Sequence, residues 1–281
     1  MAVVAPSGPF EVAAFERGVA VLSERYRVVL GTHLFESRRY LAGDDAARRA
    51  DLVWALESPS VRAVFAARGG YGMARLLGSL PPLPLKALVG FSDLTAVHLV
   101  AQSRQIRSLH GPVLTQLGSQ PPSVVARLFD ALEGRSLEPL EGSRTVVPGS
   151  AEGPLIGGNF VMLASLVGTP FFPSLDGAVL LLEEVGERPY RIDRLWTQLS
   201  LAGVLEGVAG VVLGDFTGCE ERDASYTSAE VLDELAQSLG VPCAAGFPIG
   251  HGAVNQPVPL GARVRLSANE RRLTFLEGLT A

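Results

Sequence analysis

The sequence predicts an α/β protein in two parts: a mostly parallel sheet flanked by helices, then a second α/β part with a mixed sheet. Three observations predict it. Apolar runs of strand length alternate with amphipathic stretches of helical period as far as Leu132. A polar, aperiodic stretch over residues 134–153 interrupts the alternation. The alternation then resumes and ends in two short runs joined by Ala268-Asn269-Glu270-Arg271, a hairpin pattern.

In chain order, Ala2–Ala5 reads as a strand, Phe10–Glu24 as an amphipathic helix and Tyr26–Leu30 as a strand. Asp44–Glu57 is a helix, with paired aspartates in its first turn and apolar Ala47, Ala50, Val53 and Trp54. Val61–Ala66 and Ala87–Gly90 are strands. The first ends in Arg68-Gly69-Gly70-Tyr71-Gly72 and the second runs into Phe91-Ser92-Asp93. Leu94–Gln102 is a helix, Ile106–Leu109 a strand and Val124–Leu132 a helix. Repeated βα units with short loops make a parallel sheet covered on both faces, the Rossmann or flavodoxin-like arrangement, here assigned to residues 1–138. Residues 139–153 read as a linker with a short strand at Thr145–Val147. Residues 154–281 read as a second α/β domain. It holds a helix over Phe160–Leu166, a buried strand Ala178–Leu182, a helix Arg191–Leu201, a strand Val208–Leu213 and a helix Ser228–Leu239. The closing hairpin is Ala262–Ser267 with Arg272–Leu276.

The 281 residues, 47% hydrophobic and 19% charged, suffice for two domains with a substantial core. No apolar run reaches the ~18–20 residues of a membrane span. The start, Met1 to Gly8, lacks a basic segment followed by a long apolar one, so it reads as a first β-strand rather than a signal peptide, and no membrane partner is expected. A net charge of −5 gives no reason to expect nucleic acid binding. Lys86 is the only lysine, which nearly excludes a lysine nucleophile. Cys219 and Cys243 are far apart, and His33, His98, His110 and His251 form no His-Glu-x-x-His, so neither a disulfide framework nor a metal is expected. The glycine-rich nucleotide fingerprints are absent as well, and no cofactor is expected.

Ala87-Leu88-Val89-Gly90-Phe91-Ser92-Asp93 has the layout of a nucleophile elbow, where a sharp strand-to-helix turn pushes a hydroxyl out of the sheet. Leu94 stands where the usual elbow has its second glycine, so Ser92 or Asp93 as a plain helix cap fits the short motif as well. Gly69 and Gly70, at the end of another strand, and the amide of Asp93 are placed to form an oxyanion hole; a tight turn or a phosphate cradle is the other reading. Glu183 follows five apolar residues at a strand end, with Glu184 and Glu187 close by, and position alone does not choose among them. His251 lies between Gly250 and Gly252 in a loop and is the best base among the four histidines, while His110 ends a strand near the elbow and is a candidate for lining the site. These residue types belong together chemically. A serine hydroxyl needs a histidine to take its proton, and the histidine needs a carboxylate to fix its tautomer and stabilise its cation. The alternative from another class is a non-catalytic protein that closes its cleft on a small ligand.

The order and spacing of several pieces resemble the LD-carboxypeptidase (muramoyl-tetrapeptide carboxypeptidase) family, which also contains the microcin-immunity serine peptidases. The pieces are Val4-Ala5-Pro6-Ser7-Gly8, Tyr40-Leu41-Ala42-Gly43, Arg68-Gly69-Gly70-Tyr71-Gly72, Gly90-Phe91-Ser92-Asp93 and His110-Gly111-Pro112 in the first half. Gly157-Gly158-Asn159, Leu182-Glu183-Glu184, Tyr190-Arg191-Ile192-Asp193-Arg194, Leu213-Gly214-Asp215-Phe216 and Gly250-His251 follow in the second. The resemblance implies a triad of Ser92, Glu183 and His251 in a cleft between two domains, with oxyanion amides at Asp93, Gly69 and Gly70. It implies a cytoplasmic enzyme of cell-wall recycling that takes the terminal D-alanine from murein tetrapeptides, without a metal, as a homodimer. Arg68, Tyr71, His110 and Arg191 are the candidates for contact with the substrate. A peptidyl-nucleotide antibiotic is the alternative substrate. Glu184 departs from the pattern, since many relatives carry Asp there.

Overall fold

The computed structural model describes residues 1–280. Its first half runs β1 (Ala2–Val4), α1 (Val12–Ser23), β2 (Val29–Leu30), α2 (Asp45–Glu57), β3 (Ala63–Ala66), β4 (Ala87–Gly90), α3 (Thr95–Ser103), β5 (Ser108–His110), α4 (Leu114–Leu117) and α5 (Pro122–Leu132). The five strands pair in parallel in the order β5-β4-β3-β1-β2. The second half runs β6 (Leu140–Glu141), β7 (Arg144–Val147), β8 (Ser150–Asn159), α6 (Phe160–Ser165), β9 (Val179–Val185), α7 (Pro189–Leu201), β10 (Gly210–Thr217), α8 (Ser228–Leu239), β11 (Cys243–Ala245), β12 (Val258–Leu260), β13 (Arg263–Ser267) and β14 (Arg272–Phe275). Its sheet is mixed, ordered β6-β14-β13-β8-β9-β10-β11-β7, with β8 to β11 parallel and the flanks antiparallel.

Local chemistry sets the element ends. Asp44 accepts from the Ala47 amide (2.9 Å) to start α2, and Thr227 with Glu230 forms a reciprocal capping box on α8. The sole lysine closes the other end of α2: the Lys86 ammonium donates to the carbonyls of Ala55, Leu56 and Ser58 at 3.2, 2.6 and 2.6 Å. The first two are carbonyls that a helix C-terminus leaves unpaired, while Ser58 O also accepts the Val61 amide (3.1 Å).

Three stretches differ from the sequence expectation. The strand expected over Tyr26–Leu30 shortens to Val29–Leu30, because the Tyr26 amide still bonds to Leu22 O at the end of α1 (2.9 Å). Residues 139–153, expected as a linker, supply β6, β7 and the start of β8. Their alternation is real but weak in apolar character: in β8, Ser150 and Glu152 face outward while Ala151 and Gly153 are buried. Strands β11 and β12 have three residues each, too few to show a period. β12 also crosses over. It pairs antiparallel with β5, Val258 opposite His110, so the second half adds a sixth strand to the first sheet.

The halves meet where α3 packs on β8 and α6. Leu94 and Val97 share one buried core with Ile156, Phe160 and Leu163. Polar bonds fix the register of this contact: the Asn159 amide donates to Thr95 Oγ1 (3.0 Å) and the Gly157 amide to Gln102 Oε1 (3.4 Å). A Cβ on Gly158 would sit 2.7 Å from Thr95 Oγ1, so glycine alone lets the helix approach this closely. Since Asn159 is paired with Glu183 across β8 and β9, the contact carries the start of α3 toward the end of β9. Among the described residues no helix is long and apolar enough to cross a membrane.

Candidate active site

Ser92 follows β4 at a turn where its φ is +63°. A non-glycine residue enters this left-handed region at a cost of roughly 1–2 kcal/mol, and such strain persists only where the surroundings enforce it. They do so here. The Gly90 carbonyl accepts from the Gly111 amide (3.2 Å) and lies 2.9 Å from His98 Nε2. His98 Nδ1 lies 2.9 Å from the Ser108 hydroxyl. The consistent protonation is a neutral imidazole, Nε2–H donating to Gly90 O and Nδ1 accepting from Ser108. Complete burial holds the His98 pKa down to about 4.

The glycine loop after β3 is fastened to the same turn. Buried Asp93 accepts the Met73 amide at 2.7 Å, and burial pushes its pKa up. The buried Arg48 guanidinium donates to the carbonyls of Pro6 and Gly72. The Gly8 amide donates to Gly69 O (3.0 Å). Gly69 lies against the serine: a Cβ there would be 2.9 Å from Ser92 Cβ and 3.1 Å from its Oγ. Among the described residues, the amides of Gly69 and Gly70 donate to no other protein group.

Strand parity separates the glutamates that position in sequence left open. Successive residues of β9 point to opposite faces. Glu184 faces α6, where the Asn159 side chain (2.9 Å) and the amides of Val161 (2.8 Å) and Val185 (2.8 Å) saturate it. Glu187 pairs with Arg191 at 3.5 Å. Glu183 faces the other way, fully buried, with Oε2 2.6 Å from His251 Nδ1. Burial raises its pKa, and the bond to His251 opposes the rise. With Glu183 ionised, the proton of this bond sits on Nδ1, which leaves Nε2 as the ring's acceptor.

The loop carrying His251 is positioned from both sides. Gly250 has φ +123°, and a Cβ there would lie 2.5 Å from Glu183 Oε2, so no side chain fits. The Gly250 amide donates to Asn255 Oδ1 (3.0 Å), and the Asn255 amide donates to Gln120 Oε1 (3.0 Å) in the first half of the chain. The imidazole packs 4.6 Å from the ring of Phe91, the residue before Ser92. Its side chain is 15% exposed. The structure therefore pairs Glu183 with His251 in the second half and sets that imidazole against Phe91, the neighbour of Ser92, in the first.

The remaining candidates are placed differently. Arg68 is exposed and donates to Pro9 O. Tyr71 is exposed, its ring 5.6 Å from that of Tyr40. His110 is wholly buried beneath the elbow, edge-on to Phe91 at 5.6 Å, with neither ring nitrogen bonded to protein. Burial sets its pKa well below the usual value. Arg191 is exposed on α7, tied to Glu187 and lying by the Tyr190 ring. Arg48, His98, Gln120 and Asn255 hold the site, a role that the sequence pattern does not assign to them. Only the last carries a signal, as an asparagine closing the loop Gly250-His251-Gly252-Ala253-Val254-Asn255. Among the described residues, no three His, Cys, Asp or Glu side chains gather to hold a metal ion.

Comparison with known proteins shows the family of the chain. Residues 1–111 match the model of the LD-carboxypeptidase N-terminal domain and residues 152–266 that of its C-terminal domain. The chain is 39% identical to the protein slr1534 of Synechocystis sp., whose carboxypeptidase name is provisional, over 98% of this chain and 94% of that one. It is 33% identical to the murein tetrapeptide carboxypeptidase of Pseudomonas aeruginosa, over 86% of this chain and 84% of that one. Among solved structures, the muramoyltetrapeptide carboxypeptidase from Oxalobacter formigenes superimposes with a TM-score of 0.84 at 28% identity, covering 97% of each chain. MccF in complex with glutamyl sulfamoyl guanosine shares the fold, with a TM-score of 0.90 at 20% identity over 100% of this chain and 96% of that one. Both family domains occur in order along one chain, and the relatives run nearly its full length: the protein belongs to the LD-carboxypeptidase family of serine-type peptidases.

Proposed function

We propose that the protein cleaves the L,D-peptide bond before the terminal D-alanine of murein tetrapeptides, with Ser92 as nucleophile, His251 as base and Glu183 as the group that orients it. The observation that carries the reading is the buried Glu183–His251 bond of 2.6 Å, its imidazole packed on the residue before a serine in strained left-handed backbone. In this mechanism His251 Nε2 takes the Ser92 proton as Oγ attacks the carbonyl of the residue preceding D-alanine. The amides of Asp93, Gly69 and Gly70 stabilise the oxyanion. His251 returns the proton to the departing amine of D-alanine, and the acyl group stays on Oγ. Water, deprotonated by His251, then releases the tripeptide and restores the serine.

Murein peptide is favoured over a peptidyl-nucleotide substrate because the murein tetrapeptide carboxypeptidase is 33% identical and MccF only 20%. The test is mass spectrometry of a tetrapeptide ending in D-alanine, incubated with the protein and with its Ser92→Ala variant. Loss of one alanine with the wild type alone supports the reading; a Ser92→Ala enzyme active within a few-fold refutes it, since removing a triad nucleophile costs on the order of a million-fold in turnover. The family resemblance extends the proposal to a cytoplasmic homodimer, tested by sedimentation at about twice the 29.6 kDa chain mass.

A further inference from the structure

A surface cavity of about 370 Å³ has no role in the steps just described; Arg38, Arg39, Tyr40, Asp45 and Arg75 are among its lining residues. It adjoins the oxyanion loop through the Tyr40–Tyr71 ring contact, Tyr71 being the residue after Gly70. The Tyr40 carbonyl lies 3.5 Å from where a Cβ on Gly8 would stand, and Gly8 is the residue whose amide holds Gly69 O.

The charges in the cavity are unequally engaged. Arg75 holds Asp45 with two nitrogens, Nε and Nη2 (2.6 Å from the latter to Oδ2), and Asp45 is also paired with Arg48. Asp44 is occupied as the cap of α2. Arg38 and Arg39, both exposed, have no carboxylate within 4.0 Å among the described residues, and neither guanidinium donates to a protein acceptor. Two cations therefore face the cavity without a protein partner.

The backbone makes this choice of residue informative. The amide of Arg38 bonds to Leu41 O (2.8 Å) and that of Leu41 to Arg38 O (3.0 Å), so Arg39 and Tyr40 are the two central residues of a tight turn. Arg39 has φ +58°. The first central position of a two-residue turn with positive φ favours glycine, which adopts it without strain. An arginine there makes the turn less stable than glycine would, and local strain of this kind beside a site points to use of the side chain.

We propose that Arg38 and Arg39 form an anion subsite for a carboxylate of the peptide on the acyl side of the scissile bond, with Tyr40 and Tyr71 as the apolar shelf between that carboxylate and Ser92. This rests on the murein-peptide reading above. Murein tetrapeptides carry such a group: an acidic second residue joined through its side chain leaves its α-carboxylate free, and amidation neutralises it. A guanidinium recognises a carboxylate by paired, charge-assisted hydrogen bonds and gains little from the amide.

The experiment compares KM and kcat on the free-carboxylate tetrapeptide and its amidated form, for wild type, Arg39→Gly and Arg38→Gln. Arg39→Gly should melt at or above the wild-type temperature, because glycine relieves the turn, which separates recognition from folding. Its KM on the carboxylate substrate should rise about three- to ten-fold, as expected for a partly exposed ion pair. The rise should be smaller on the amide and should shrink at high salt. Equal effects on both peptides, or an unchanged preference between them, would overturn the subsite. A wild type that cleaves neither peptide would remove the functional reading and the subsite with it.

Discussion

Replacing Gly69 by alanine adds one methyl group at the point where the two halves of the proposed oxyanion hole meet the nucleophile. The backbone tolerates it, since the φ of Gly69 lies outside the glycine-only region. The space does not: the new carbon would stand 2.9 Å from Ser92 Cβ and 3.1 Å from Oγ, against an ordinary contact of about 3.5–4.0 Å. One of the two loops must shift by roughly half an ångström or more. Catalytic groups need their geometry within about 0.5 Å, and a misplacement of about 1 Å costs on the order of 100-fold. Loss of one oxyanion donor costs roughly 100- to 1,000-fold. The expected result is therefore a folded protein whose kcat falls at least about 100-fold and whose labelling by a fluorophosphonate slows in parallel. Thermal unfolding monitored by circular dichroism checks that the fold survives. A Gly69→Ala enzyme within five-fold of wild type, at unchanged melting temperature, would show that neither this amide nor its approach to Ser92 matters to the reaction.

Other perturbations follow from the same contacts. Asn255→Ala removes the acceptor that holds the Gly250 amide, so kcat should drop roughly ten- to a hundred-fold with KM little changed; steady-state kinetics decide, and an unaltered kcat would refute the positioning role. Lys86→Met leaves three carbonyls without their ammonium donor and should lower stability by about 1–3 kcal/mol while turnover stays near wild type, as read by urea unfolding and peptide hydrolysis. His98 makes the fold acid-sensitive. Its folded pKa of about 4 is below the ordinary 6.5, so between those values the unfolded chain binds the extra proton and stability falls as the pH falls, by about 3 kcal/mol in all. Asp93 and Glu184, whose pKa values burial raises, act with the opposite sign. The clean measurement is therefore the difference between wild type and His98→Asn in denaturant titrations from pH 7 to pH 4. A difference constant across that range would contradict a neutral buried imidazole.

The residues that make the site legible in sequence are those whose backbone demands are local. Gly90-Phe91-Ser92 after an apolar strand reads as an elbow because strand, turn and helix each have their own short-range signature, and Ser92 does take φ +63°. The helices Asp44–Glu57 and Ser228–Leu239 are likewise readable from caps and period, and both form within a residue of expectation. Glu183 is the opposite case. Its neighbours Glu184 and Glu187 are the same residue type, and the choice among them depends on which face of β9 meets His251. That face is fixed by the pairing of β9 with β8, and β8 is fixed in turn by Thr95 and Gln102 on the elbow helix. The identity of the carboxylate is thus decided by contacts between residues 55 and 64 positions apart, through a ten-residue strand that begins in a stretch too polar to read as strand at all. Arg48, Gln120 and Asn255 share that character: each joins segments that only the folded chain makes adjacent. Local pattern can single out the proposed nucleophile, but the carboxylate that meets His251 is selected by the interface between the two halves. Substitutions at that interface, such as Thr95→Val or Gln102→Leu, should therefore weaken the Glu183–His251 geometry without touching either residue.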